Sequence, residues 1–152
     1  MEREDGRGGA LRVGMVWGGV GGVAGFFGSL LGSLAGLLVG LFVGYSCGRR
    51  AAEAEAERPG ALSGLIGGAV AAPVFAVGAS AGALVAARGI GSPHIAATLT
   101  EVMGTQISPD EAWTLFLLSI ILAAVLQTAV FVGAATIAGA LAERRKAQGP
   151  EA

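Results

Sequence analysis

The sequence predicts an all-α, polytopic integral membrane protein: a four-helix transmembrane bundle with a glycine-striped N-terminal hairpin. Three observations carry that expectation. First, apolar residues make up 53% of the 152 positions and charged residues only 14%, for a mean hydropathy of +0.69. Second, the charges cluster at Glu2–Arg12, Arg49–Arg58, Arg88, Glu101–Glu111 and Glu143–Glu151. They leave three uncharged stretches, Val13–Gly48, Pro59–Ala87 and Ala112–Ala142, each longer than the roughly 18–20 apolar residues that mark a membrane-spanning helix. Third, glycine supplies 27 residues and recurs at every fourth position through GSLLGSLAGLLVGLFVGYSCG, from Gly28 to Gly48.

Backbone groups in hydrocarbon must bond within the protein, which restricts spans to helices or a closed barrel. A barrel would show alternating segments of about ten residues; these runs are long and continuous, so helices are expected. The leader MEREDGR mixes acids with bases and the apolar run behind it outlasts a signal h-region, which argues against cleavage. Lys146 is the only lysine beside nine arginines, a bias that, with abundant Ala and Gly, points to a GC-rich bacterial genome.

Residues 1–12 read as a cytoplasmic N-terminal segment and 13–48 as a glycine-zipper helical hairpin. A single helix from Val13 to Cys47 would be about 52 Å long, against a hydrocarbon core about 30 Å thick. The glycine spacing of four breaks phase across Gly22, Gly25 and Gly28, so the turn is expected at Gly22–Gly28. Loop charges favour this hairpin. With four helices and both termini in the cytoplasm, nine of the 10 Lys and Arg residues lie inside. Three helices, the first long and bent, are the alternative, and they leave six inside.

Residues 49–60, RRAAEAEAERPG, read as a cytoplasmic helical extension with a solvated charged face, stopped at Pro59-Gly60. The next span, 61–87, contains Pro73, which removes the bond to the Ala69 carbonyl and is expected to kink it. Residues 88–111 read as an external loop with a short amphipathic helix. Ser92-Pro93 are its N-cap and N1, Ile95, Leu99, Val102 and Met103 its apolar face, and Gly104 its stop. It is expected to lie on the membrane boundary. Ser108-Pro109-Asp110-Glu111 is a capping box that opens the last span, 112–142. Trp113 at one face, and Trp17 and Tyr45 at the other, suit interfacial positions. Residues 143–152 read as a cytoplasmic tail.

Lipid tails are as apolar as leucine, so burying leucine gives membrane helices little reason to associate; small residues four apart allow backbones to touch instead. The packing residues expected from this are Gly14, Gly18 and Gly22 on the first helix, and Gly28, Gly32, Gly36, Gly40, Gly44 and Gly48 as a groove along the second. Gly64, Gly68, Gly78 and Gly82 are expected to act on the third. A line of i, i+4 positions drifts about 40° per step, so that groove needs at least two neighbours. In the last span Ser119, Ala123 and Gln127, with Ala124, Thr128, Thr136 and Ala140 beside them, should face the bundle, and Leu118, Leu122 and Leu126 should face lipid or a partner.

Chemistry is sparse. No Asp, Glu, His, Lys or Arg falls within the spans, and such residues are the usual flags of transport or catalysis. The intramembrane polar residue is Gln127, expected to bond between helices. His94 is the only histidine and Cys47 the only cysteine, so neither a metal centre nor a disulfide is expected, and no phosphate-binding loop or nucleophile–base pair is present. The catalytic, cofactor and metal sets are therefore empty. The formal charge of −1 without a basic patch excludes nucleic acid as an expected partner. What remains is a small non-enzymatic structural or accessory membrane protein that associates through Gly-xxx-Gly faces in the bilayer of the cell membrane. The alternatives are a homo-oligomeric pore, or a small permease. A homo-oligomer or a membrane-protein partner would dock through the same glycine faces.

Overall fold

Thirty-five apolar residues in one helix would overrun any bilayer, and the chain resolves this by reversing. In the computed structural model, which describes residues 8–55 and 57–148, helix α1 (Gly9–Leu30) turns at Leu31–Gly32 into α2 (Ser33–Ala54). Three more helices follow: α3 (Gly60–Ile90), α4 (Ser92–Met103) and α5 (Pro109–Ala147). No strand occurs among the described residues. Arg3, Arg7 and the distal part of the tail lie outside them.

The turn sits later than the glycine phase break suggested. Gly32 takes φ +119°, a backbone conformation that only glycine adopts freely. The glycines at the expected turn, Gly22–Gly28, are helical, and they change face rather than direction. Gly22 meets Val74 of α3, while Gly21 meets Val43 and Gly28 meets Val39, both of α2. The break in spacing thus marks a helix that packs against two neighbours. As a consequence Gly28 belongs to α1, Gly32 packs against nothing within 4 Å, and the groove on α2 consists of Gly36, Gly40, Gly44 and Gly48.

Packing follows backbone approach. A β-carbon on Gly14 would lie 2.7 Å from the Gly67 carbonyl oxygen, and on Gly18 3.2 Å from Ala71 Cα. Reciprocally, α3 brings Gly78 and Gly82 onto the Gly22 and Phe26 carbonyls, so α1 and α3 run parallel in contact. On the other side of the bundle a β-carbon on Gly44 would fall 2.6 Å from the Phe131 carbonyl oxygen of α5, and one on Gly48 would overlap that of Ala135. Gly64 also abuts the Ala135 carbonyl, and Gly60 and Gly139 abut each other's carbonyls. The glycines are therefore close-approach positions between helices of the same chain. The void they leave at the centre is filled by Phe75, whose ring lies 2.9 Å from the β-carbon positions of both Gly25 and Gly40. Phe75 stacks on Phe131 with ring centroids 5.1 Å apart; both are fully buried, among Val43, Cys47, Ala71, Ala72 and Ala79.

Among the described residues three helices, α1, α3 and α5, are long and apolar enough to cross a membrane. In α2 the apolar stretch ends at Gly48, before Arg49 and Arg50. The expected extension of this helix stops at Ala54, with Glu55 extended (ψ 96°). Its face is not wholly solvated: the Glu55 side chain is 3% exposed, 3.3 Å from the Ser63 hydroxyl that donates to it and 3.5 Å from Arg58. Pro73 is accommodated inside a continuous α3. The cap of α4 falls on Gly91 (φ 87°), one residue before the expected Ser92, and Gly104 ends the helix with φ 68°. The α4 residue that is buried is Ala96, whereas Val102 and Met103 are exposed.

At the end of the bundle that carries the termini, charged groups sit on the helix ends that attract them. Glu143 of α5 accepts the Gly60 N–H at 2.7 Å at the start of α3, and Lys146 donates to the Ala52 carbonyl at 3.1 Å near the end of α2. Acids favour the partial positive charge of a helix start and bases the partial negative charge of its end. At the opposite, distal end, the capping box of α5 is formed. Ser108 Oγ accepts the Glu111 N–H at 3.3 Å, and Glu111 accepts the Ser108 N–H at 2.9 Å and its hydroxyl at 2.7 Å.

Candidate functional site

The helices differ in reach. Gly36 of α2 lies against Gln127 of α5, in the direction in which the two run parallel. From that level α2 begins three residues away at Ser33 and α5 eighteen residues away at Pro109, so at 1.5 Å per residue α5 extends about 20 Å farther. The hairpin turn is therefore recessed. Above it α3 and α5 stand apart and enclose a half-open cavity of about 380 Å³, closed in part by Ile95 of α4.

Its lining is uncharged and sets small residues beside the large apolar Ile90, Phe116 and Ile120. The hairpin gives Ser29, Gly32 and Ser33; α3 gives Ala79, Ser80, Ala83 and Ala86; α5 gives Ser119, Ala123, Ala124 and Gln127. No acid, base or histidine is among the lining residues. Gly36 creates a polar notch at its floor. The Gln127 side-chain nitrogen lies 3.4 Å, and Ser29 Oγ 2.9 Å, from the point a Gly36 β-carbon would occupy. Amide and hydroxyl converge there, and among the described residues neither bonds the other. Ser119 donates its hydroxyl to the Phe116 carbonyl at 2.7 Å, as Thr136 does to Val132 at 2.8 Å.

The interhelical bond expected of Gln127 is thus replaced by an amide presented to a cavity. Of the small face expected on α5, Ser119, Ala123, Ala124 and Gln127 line the cavity, whereas Thr128, Thr136 and Ala140 are only half-buried. The small residues buried farther along the helix are Ala135, Ala138 and Gly139, on a line the spacing did not single out. Leu118, Leu122 and Leu126 point away from the bundle and are exposed. His94 is exposed on α4 and Cys47 is buried in the core. Among the described residues no group of three His, Cys, Asp or Glu is placed to hold a metal ion.

Sequence reasoning missed Ser80, Glu55 and the Phe75–Phe131 pair. Two signals pointed toward the last: a helix lined with glycine leaves volume that a large side chain must fill, and both phenylalanines lie within stretches rich in Ala and Gly. No family model matches the chain, and no curated protein or solved structure matches it.

Proposed function

We propose that this chain is a non-enzymatic integral membrane protein of structural or accessory type, a self-contained bundle of four long helices with both termini in the cytoplasm. The observation that carries this reading is where the glycine faces go: they meet backbone and side chains of the same chain, and what the bundle turns outward is a coat of large aliphatic side chains. Val23 is 62% exposed, Leu38 57%, Val77 70% and Leu122 71%, one from each long helix. Such a coat suits acyl chains. Nine of the ten Lys and Arg residues then fall on the cytoplasmic side, as the charge rule favours. The alternative of a homo-oligomeric pore built on the glycine faces loses its support, because a neighbouring copy would find those faces already covered. A membrane-protein partner, on this reading, docks on the aliphatic coat.

The cavity favours a second reading, a small permease, because a recessed polar notch is more than packing requires. Topology and mass test the first reading together. Cysteines placed at Gly8, Ala54 and Gln148 should react from the cytoplasmic side and one at Thr105 from the other, in a particle whose protein mass is that of one chain. Thr105 on the same side as the others, or a stable higher oligomer disrupted by glycine substitutions, would overturn it.

A further inference from the structure

The recessed turn poses a problem of backbone hydrogen bonding, and the cavity answers it. The apolar part of α5, Ala112–Ala142, is about 45 Å long, close to a whole bilayer with headgroups, whereas α1 from Val13 to Leu30 reaches only about 27 Å. In the membrane the turn at Leu31–Gly32 therefore lies below the distal surface. The turn satisfies part of itself, since Leu31 N–H donates to the Gly28 carbonyl at 3.1 Å and Gly32 N–H to that of Ser29 at 3.2 Å. The first N–H groups of α2, at Ser33, Leu34 and Ala35, have no partner within their helix, and no side chain caps it. Non-helical backbone at membrane depth is tolerated where it is buried in protein or lines a water-filled cavity. Here Gly32 and Ser33 line the cavity.

Resting on the membrane embedding argued above, we propose that this cavity is a hydrated binding site, open toward the distal face, for a small uncharged solute of amide or polyol chemistry. Its volume falls within the range of small-molecule pockets. With no charge in the lining, an ion would give up its hydration for nothing of opposite sign. The Gln127 amide and the hydroxyls of Ser29, Ser33 and Ser80 offer donors and acceptors together. The alanines of α3 and α5 leave room for a solute, and Ile90, Phe116 and Ile120 give its carbon skeleton an apolar wall beside those polar groups.

The test uses the full chain in liposomes with Cys47 replaced by alanine. Ser119→Cys reports the cavity, and Ile121→Cys, an exposed position on another face of α5, reports lipid. A membrane-impermeant thiol reagent added from the distal side needs a hydrated thiolate, so Ser119→Cys should react on the order of tenfold faster than Ile121→Cys. Urea and glycerol are the solute probes. At a concentration equal to its dissociation constant, a bound probe should slow the Ser119→Cys reaction about twofold by mass action, and Gln127→Leu should remove that protection while leaving the labelling. Equal, fast labelling at both positions overturns the embedding itself. Slow labelling at both overturns the hydrated cavity and leaves the embedding standing. Fast labelling at Ser119→Cys without protection by urea or glycerol overturns the solute site.

Discussion

The two ends of the bundle are built from the same small residues and behave in opposite ways. Toward the termini, Gly60, Gly64 and Gly139 bring α3 and α5 together carbonyl to Cα, and Glu143 and Lys146 hold the helix ends. Toward the distal end the same two helices carry Ala79, Ala83, Ala123 and Ala124, yet stand apart around a cavity. Small side chains permit close approach but do not compel it. What differs is the pattern opposite: at the termini end a missing side chain faces a backbone carbonyl, whereas at the distal end side chains stand on both sides, from alanine and serine up to Ile90 of α3 and Phe116 and Ile120 of α5, and the hairpin stops short.

This contrast can be broken most severely at Gly48. A leucine there would drive its β-carbon into the Ala135 backbone, while a β-carbon at Gly19 or Gly133 meets nothing within 4 Å. Gly48→Leu should abolish recovery of folded monomer in detergent, an effect above the ~4–5 kcal/mol that marks exceptional substitutions; Gly19→Leu and Gly133→Leu should leave yield and melting unchanged. Next in size is Phe75→Ala, which empties the slot between Gly25 and Gly40. It should lower unfolding stability by about 3–5 kcal/mol, read from the denaturation midpoint, whereas Phe116→Ala at the cavity wall should change it much less.

The polar ties give a smaller effect. Glu143→Gln weakens the acceptor for the Gly60 N–H, and Lys146→Met removes the donor to the Ala52 carbonyl. Each should lower stability by about 0.5–2 kcal/mol, and each should loosen the termini end selectively, as seen in faster amide exchange around Gly60 or Ala52. The smallest effect lies at the distal end. The backbone N–H and then the hydroxyl of Ser108 hold the Glu111 carboxyl below its usual value. A depressed folded-state value means that the contribution is present above the unfolded carboxylate range and lost as pH falls through the folded one. Acidification should therefore fray the start of α5, read as faster exchange of the Glu111 amide; Glu111→Gln should remove that pH dependence at this site.

Legibility in the sequence follows the range of the interaction. The capping box over Ser108–Glu111, the Gly104 stop and the helical class are local, and local chemistry announced them. The turn was misplaced because glycine has two uses. At Gly22–Gly28 it makes room for neighbours, at Gly32 it supplies a positive φ, and spacing alone does not separate them. Glu55 read as solvated because its burial depends on Ser63, beyond the chain reversal that follows it. The cavity was beyond reach for a similar reason: Ser119 and Gln127 were placed on one line of α5, but the void they face arises from the unequal reach of the hairpin and α5.

The central claim is that the glycine faces are consumed within one chain. Gly68 and Ala135 test it most directly, because a β-carbon on Gly68 would stand 2.8 Å from that of Ala135, near the separation a disulfide bridges after a small shift. With Cys47 replaced by alanine, Gly68→Cys/Ala135→Cys should oxidise to an intramolecular disulfide in a particle that remains one chain on a non-reducing gel. Covalent dimers as the main product, or thiols left free under oxidant, would contradict it.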